Sequence, residues 1–349
     1  MNNKMKNVFY FKTISAIGGC ESWFYYLSKL YKNIVIYYRN GYPEQIKRLA
    51  KNVEVHKYKE GEQINCDNFF CCYYPDIIDN VNAKQYIGVI HCDYKNVWFS
   101  PILHPKFTKY IAVSKVAGES FKELTGIDYE LIYNPISIDI PKVEKYNDGK
   151  LHLISATRLT REKGLLRMQK LGKLLDESGI DYVWEIYTNK YRGFIGNKVI
   201  YKEPKFNITE EIAKADFLIQ LSDCEAYCYT IVESLMVGTP IIATDLPVLK
   251  ELNVKPNLDG YICDFNMNHI NILEIAKKSL KPAYKPPKSE WNKYLDNNTT
   301  YNGEDLTKVR CRRGIYLVNE NKHTIKGEII EISKQRASEL ECKDLIEII

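Results

Sequence analysis

The strongest constraint on this chain is a rhythm. Short apolar runs alternate with amphipathic stretches of helical period, and the pattern runs through twice. The first round opens with NVFYFKTI (7–14). The turn SAIGG follows, then a helix from about Glu21 to Tyr31 with Trp23, Tyr26, Leu27 and Leu30 on one side. NIVIYYR, VEVHKY, CDNFFCCYY, KQYIGVIH, KYIAVS (109–114) and YELIYNPI (129–136) are further strands, with helices near 43–51 and up to Leu124. Strands that alternate with helices predict a parallel sheet covered on both faces.

The polar segment DIPKVEKYNDGK (139–150) interrupts the rhythm and is the best inter-domain linker. LHLISATR restarts it, followed by a helix over 164–177, YVWEIYTN, NKVIYKE, a helix at 208–214 and DFLIQLS. A helix around Glu233, the strand PIIAT, a short helix near Leu246–Leu252 and GYICD complete the second round. A helix over 268–280 is then broken by KPAYKPPKSEW, and a last helix holds Trp291, Tyr294 and Leu295. The expected organisation is α/β: Rossmann-like domains at 1–140 and 148–297 facing a central cleft, and a small β-rich module at 305–349. In that module VRCRRGIYLV, GEIIEIS and LIEII are strands, and SKQRASEL is a helix capped by Ser333.

Composition removes several classes of function. Ten cysteines are scattered without a CxxC pair and six histidines do not cluster, which argues against a structural zinc site and for free thiols in a reducing compartment. The basic residues form no aromatic-interleaved stripe, which disfavours nucleic acid as a partner. No apolar run has signal-peptide length or approaches the ~20 residues of a membrane span. The formal net charge of +5 suits a phosphate-bearing ligand without requiring one.

The chemistry concentrates in DCEAYCYTIVESLMVGTPIIAT. Glu225 follows an apolar strand, and Glu233 falls on the next helix, which stops at Gly238 before a new strand begins at Pro240. A strand-end acid and a helix acid can face one cleft above the carboxyl edge of a parallel sheet, where open α/β sheets bind ligands. Just after the first strand of the second round, ATRLTREKG supplies Arg158 and Lys163. An arginine holds phosphate oxygens in a fork, and a lysine adds a mobile point charge. Gly18 and Gly19 lie between the first strand and first helix, where backbone can approach a phosphate. They do not form the full Gly-x-Gly-x-x-Gly fingerprint, which disfavours nicotinamide and flavin.

These motifs resemble those of the retaining GT-B glycosyltransferases, family 4 (glycosyl transferases group 1). The family pattern is an acid, seven residues, a second acid and then Gly-Thr-Pro, here Glu225, Glu233 and Gly238-Thr239-Pro240. Upstream it has an arginine, four residues, a lysine and a glycine, matched by Arg158, Lys163 and Gly164. The resemblance spans about residues 8–297 and implies transfer of a hexose from a nucleoside-diphosphate sugar, UDP- or GDP-linked, with retention and without metal. It implies no permanently bound cofactor. The acceptor would be a hydroxyl on a glycan, a lipid-linked glycan or another polymer, and the location cytoplasmic or peripheral at the inner membrane surface.

By the same resemblance, Arg158 and Lys163 hold the donor diphosphate, Gly18 and Gly19 approach its phosphate and sugar, Glu225 binds sugar hydroxyls and Glu233 binds the ribose. His91, ending the strand YIGVIH, touches the transferred sugar, and Asp93 orients His91 or meets the acceptor. The loop Ala226-Tyr227-Cys228-Tyr229-Thr230 stands where the family often has glycines. Tyr227, Cys228 and Tyr229 line a narrowed donor pocket, and Thr230 donates to a phosphate. Where the family usually has Asn-Gly, this chain has Asn134-Pro135, a stiffer corner on the acceptor side. Ser114 is a helix cap. Asp76 and Asp79 are spaced by two residues but lie in a loop without a matching partner and form no metal motif. The module at 305–349 is expected to pack or to join protomers. Two alternatives share the plan: a GT-B subunit that binds a glycan or partner without turnover, and a sugar-nucleotide epimerase.

Overall fold

The structure, a computed structural model, describes residues 6–295 except 98, 102, 190–192 and 269, and in the tail 306–311, 316–317, 322–323, 329–333 and 346–348. The chain divides into two compact units, Met1–Asn297 and Asn298–Ile349.

The larger unit holds two parallel sheets, one on each side of the polar segment 139–150. The strands of the first are β1 (Asn7–Phe11), β3 (Ile34–Tyr38), β5 (Glu54–Lys57), β6 (Ile64–Cys72), β7 (Val81–Ile90), β8 (Lys109–Ala112) and β9 (Glu130–Leu131). The short strands β2 (Thr13–Ile14) and β4 (Asn40–Gly41) pair in parallel as a separate two-stranded sheet. Helices α1 (Gly19–Leu30), α2 (Pro43–Ala50) and α3 (Lys115–Thr125) accompany it. Spatial order is β5-β3-β1-β6-β7-β8-β9, so the order reverses between β1 and β6. The expected strand over 129–136 is only β9, because the next residues turn toward the second sheet.

The second sheet consists of β10 (Leu151–Ala156), β11 (Tyr182–Tyr187), β12 (Val199–Lys202), β13 (Phe217–Gln220), β14 (Ile241–Thr244) and β15 (Gly260–Cys263). Its order, β12-β11-β10-β13-β14-β15, is the doubly wound one, with the switch point between β10 and β13. Its helices are α4 (Leu165–Glu177), α5 (Ile208–Lys214), α6 (Tyr229–Met236), α7 (Pro247–Glu251) and α8 (Ile272–Ala276). Strands buried on both faces read as continuous apolar runs, and FLIQ and IIAT are fully buried.

Two expected helices come out shorter. The one over 268–280 is α8 alone, started by Asn271, whose side chain accepts from Glu274 N, and stopped before Lys278, which is left-handed at φ 52°. The last is a single 3-10 turn, Trp291–Lys293. This turn brings the chain back to the first sheet. Trp291 is fully buried, its ring 5.4 Å from Trp23, 5.8 Å from Phe70 and 6.2 Å from Phe9. Tyr294 donates to Glu130 at 2.7 Å.

In the smaller unit, β16 (Leu306–Cys311) is the middle strand of an antiparallel sheet with β19 (Ile329–Ser333) and β20 (Ile346–Ile348). β17 (Tyr316–Leu317) and β18 (Lys322–His323) pair separately. Ser333 ends β19, and the helix expected after it lies outside the described residues.

Candidate active site

The site is built at the carboxyl edge of the second sheet, on either side of its switch point. The loop after β10 carries Arg158 and Lys163 before α4, and the loop after β13 carries Glu225 before α6. Several bonds clasp the loops together. Asp223 N donates to Glu162 O at 2.8 Å, and Arg167 Nε to Leu221 O at 2.9 Å, while its guanidinium pairs with Asp223. Gly164 is left-handed at φ 83°, and a Cβ there would lie 1.8 Å from Leu221 O, so only glycine fits. Arg167 thus ties the two loops.

Within this clasp Glu225 Oε1 accepts three hydrogen bonds, from Lys163 Nζ at 2.7 Å, Ser222 Oγ at 2.8 Å and Gln220 Nε2 at 3.1 Å. Burial alone would lower the Lys163 pKa, and the adjacent Glu225 carboxylate outweighs it, so the ammonium sits above its usual value. Arg158 is different: its side chain is 66% exposed and, among the described residues, reaches only Glu162, at 3.6 Å. Its guanidinium is available to an incoming anion.

Glu233 lies on α6 and is 7% exposed. Its Oε1 accepts from Tyr26 OH of α1 at 2.7 Å, a bond between the two halves. Burial raises its pKa, against the Tyr26 hydrogen bond and the nearby Arg48, which lower it. Among the described residues no donor reaches the second carboxylate oxygen of either Glu225 or Glu233.

The loop between the two acids departs from the expected pocket lining. Tyr227 is 3% exposed and donates to Asn134 O at 3.3 Å, and Tyr229 is 6% exposed and donates to Pro135 O at 2.9 Å. Both hydroxyls are therefore committed to the Asn134-Pro135 corner and not to a donor. A buried tyrosine needs such a partner. Asn134 is itself buried, and its side-chain oxygen has no partner among the described residues. Cys228, between the tyrosines, is left-handed at φ 61° and precedes α6 directly. Burial pushes its thiol well up, so it is neutral. Thr230 is half-buried in the first turn of α6.

On the first sheet, Gly18 is extended and precedes α1, and Glu21 folds back beside it to accept from Ser15 N at 2.7 Å. A Cβ on Gly18 would lie 2.4 Å from Glu21 Oε2, while one on Gly19 meets nothing. His91 follows β7, its Nε2 3.4 Å from Cys72 Sγ, its ring edge-on to Trp23 at 4.7 Å and alongside Tyr73 at 6.1 Å. Burial holds its pKa down at about 3, so it is neutral. Asp93 does not orient it. The Asp93 carboxylate instead accepts from Lys95 N at 3.3 Å and Asn96 Nδ2 at 2.7 Å, closing a turn. Ser114 caps α3 through Ala117 N at 3.1 Å.

Beyond Tyr73, a cavity of about 240 Å³ opens among Tyr94, Phe99, Phe107, Tyr110 and Phe121. Among the described residues no group of three or more His, Cys, Asp and Glu side chains could hold a metal. Asp76 takes Tyr10 OH and Arg39, and Asp79 pairs with Lys106. The eight cysteines of the larger unit are all free. No described helix is long and apolar enough to cross a membrane.

Two parallel sheets with the sites at their carboxyl edges define the GT-B architecture. Residues 194–294 match the model of the family described as glycosyl transferases group 1. The fold is similar to that of Anabaena HepE, in complex with UDP and glucose, at 14% identity over 78% of this chain and 89% of that one, TM-score 0.61. A second complex of that protein, with UDP-glucose, gives TM-score 0.59 at 15% identity over 74% and 85%. A glycosyltransferase of Rickettsia africae gives 0.54 at 15% identity over 78% and 87%. No curated protein matches the chain.

Proposed function

We propose that this protein transfers a hexose from a nucleoside-diphosphate sugar to an acceptor hydroxyl in glycoconjugate synthesis, with retention and without a metal. The observation that carries the reading is Glu225, anchored through one oxygen by Lys163, Ser222 and Gln220, beside the exposed Arg158. A carboxylate fixed at one oxygen presents the other to a sugar hydroxyl in a set orientation, and positioning of this kind lowers a transfer barrier. Arg158 and Lys163 would supply the positive charge that a departing diphosphate needs. Glu233, likewise fixed at one oxygen, would take a ribose hydroxyl. UDP is the leading nucleotide, because the similar HepE structures hold UDP and UDP-glucose.

His91 is neutral and packed against Trp23, so its part would be to shape the sugar site or donate one hydrogen bond, not to carry a proton. The aromatic cavity beyond Tyr73 lies in the half expected to face the acceptor. The reading puts the enzyme in the cytoplasm, where nucleoside-diphosphate sugars are made.

The test is a screen of nucleotide-sugars for hydrolysis and thermal shift, repeated in excess chelator, with the anomeric configuration of the product read by NMR. The expected result is selective stabilisation and slow hydrolysis by one sugar-nucleotide, unchanged by chelator, and a retained anomer. No stabilisation by any nucleotide or sugar-nucleotide would overturn the reading. Loss of turnover in chelator, restored by Mn²⁺ or Mg²⁺, would overturn its metal-free part.

A further inference from the structure

The side chain that fixes Glu233 comes from the opposite half of the molecule. Tyr26 lies two turns into α1, which packs on the first sheet, and its hydroxyl donates to Glu233 Oε1 at 2.7 Å across 207 positions of sequence. Its ring lies 5.4 Å from that of Tyr229, so the approach is held by packing as well. Arg48 of α2 reaches across in the same place. Its guanidinium lies 3.4 Å from the centre of the Tyr25 ring and 5.1 Å from that of Phe206, and it donates to Phe206 O at 3.4 Å. This leaves one oxygen of Glu233 committed and the other without a protein donor among the described residues.

We propose that Tyr26 is a positioning residue for Glu233, so that the ribose site is assembled from both halves and is complete only when α1 stands against α6. The proposal rests on the reading of Glu233 as the ribose carboxylate. A carboxylate on a helix can rotate about its side-chain torsions, and a hydrogen bond to one oxygen fixes where the other points. Without that bond Glu233 must find its orientation when the nucleotide arrives, and binding weakens by the ordering cost. The same bond makes nucleotide affinity sensitive to the placement of the first half, even though the ribose carboxylate belongs to the second.

The experiment is a double-mutant cycle on the full chain with Tyr26→Phe and Glu233→Gln. It is read by calorimetry with the common nucleoside diphosphates, carrying forward the one that binds best. Glu233→Gln should weaken the nucleotide, which tests the underlying reading alone. Tyr26→Phe should weaken it about two- to tenfold, the worth of one hydrogen bond. On the Glu233→Gln background it should have much less effect, since it acts through the carboxylate. Donor KM should rise with kcat nearly unchanged.

A pH series separates positioning from a merely structural role. Besides Tyr26, the charged and titratable groups around Glu233 are Arg48 on α2, Tyr229 on its own helix, and Tyr227 and Cys228 on the preceding loop. Removing the hydroxyl deprives the carboxylate of its main stabilising bond, so nucleotide binding by Tyr26→Phe should fail at a higher pH than wild type on acidification. Equal weakening by Tyr26→Phe on both backgrounds would overturn the proposal, as would tighter binding, which would make Tyr26 a competitor of the ribose. If Glu233→Gln leaves nucleotide affinity unchanged, the ribose reading itself falls and the positioning role with it.

Discussion

Lys163 Nζ stands 2.7 Å from Glu225 Oε1, so the expected phosphate-binding cation and the expected sugar-binding carboxylate are one ion pair before any donor arrives. Arg158, in the same loop, is left exposed and only loosely paired with Glu162 at 3.6 Å. The two cations therefore differ in what their removal does to the empty protein. Lys163→Ala leaves a nearly buried carboxylate without its counter-charge and should cost about 1–3 kcal/mol of stability. Arg158→Ala, at an exposed side chain, should change stability by no more than about 0.5 kcal/mol. Both should lose about 10- to 150-fold in kcat/KM for the donor, the worth of a charge-assisted contact. Chemical denaturation and donor kinetics on the two variants check this. Equal stability loss with unchanged kinetics would remove both from the donor site.

The neutral state of His91 sets a pH dependence with a definite sign. In the folded protein its pKa lies at about 3, below the usual imidazole value near 6.5. Between those values the unfolded chain binds a proton that the folded chain does not, so His91 disfavours the folded state increasingly as pH falls. Its contribution is constant above about pH 6.5 and is lost progressively toward pH 3. His91→Phe should flatten that part of the stability curve, and no acid limb near pH 6.5 in kcat/KM should belong to His91. Urea denaturation from pH 3 to 8 on both proteins is the measurement. An unchanged slope in the variant would mean that His91 protonates freely in the fold.

Cys228 occupies a position that suits glycine. At φ 61° and ψ 73° it is left-handed, which costs a residue with a Cβ about 1–2 kcal/mol. Glycine removes that cost but adds backbone entropy to the unfolded chain, about 0.5–1 kcal/mol. Cys228→Gly should therefore be neutral to slightly stabilising, Cys228→Ala no better than wild type, and Cys228→Val clearly worse. Thermal melts of the three variants give the ranking. Valine melting with or above glycine would show that the loop does not hold this conformation.

The sheets, their β/α order and the placement of Glu225 after a strand and Glu233 on the next helix were legible, because each depends on periodicity and punctuation within a few residues. What was not legible depends on pairings far apart in sequence. Tyr26 reads as one more apolar residue on the face of α1 beside Trp23, and nothing local says that its hydroxyl meets Glu233. The tyrosines at 227 and 229 look like pocket lining until their hydroxyls are traced to the carbonyls of Asn134 and Pro135. The signal available in each case was general: a buried phenol needs a partner, and the rule names no partner. Asp93 misled for a related reason, since an aspartate two residues after a histidine is as well suited to close its own turn as to orient the ring.

Residues Asn298–Ile349 form a compact unit of their own. Its sheet is organised around β16, where Val309 stands opposite both Ile330 and Ile348, and Cys311 opposite Ile346. Lys308 stands opposite Glu331, and Arg310 opposite both Ile329 and Glu347. A three-stranded sheet in so small a unit has marginal stability by itself. None of the donor motifs falls within it, and Trp291, which completes the core of the first sheet, precedes it. A chain ending at Asn297 should therefore fold, hydrolyse donor within about twofold of the full chain and keep the same nucleotide affinity, since surface changes away from a site cost little. What should change is the oligomeric state or transfer to a large acceptor, the roles left to a unit that carries no donor motif. Light scattering, a donor-hydrolysis assay and calorimetry with the nucleotide on both chains make the comparison. A folded truncation that still binds nucleotide but no longer hydrolyses donor would show that the last 52 residues complete the active site and are not an accessory to it.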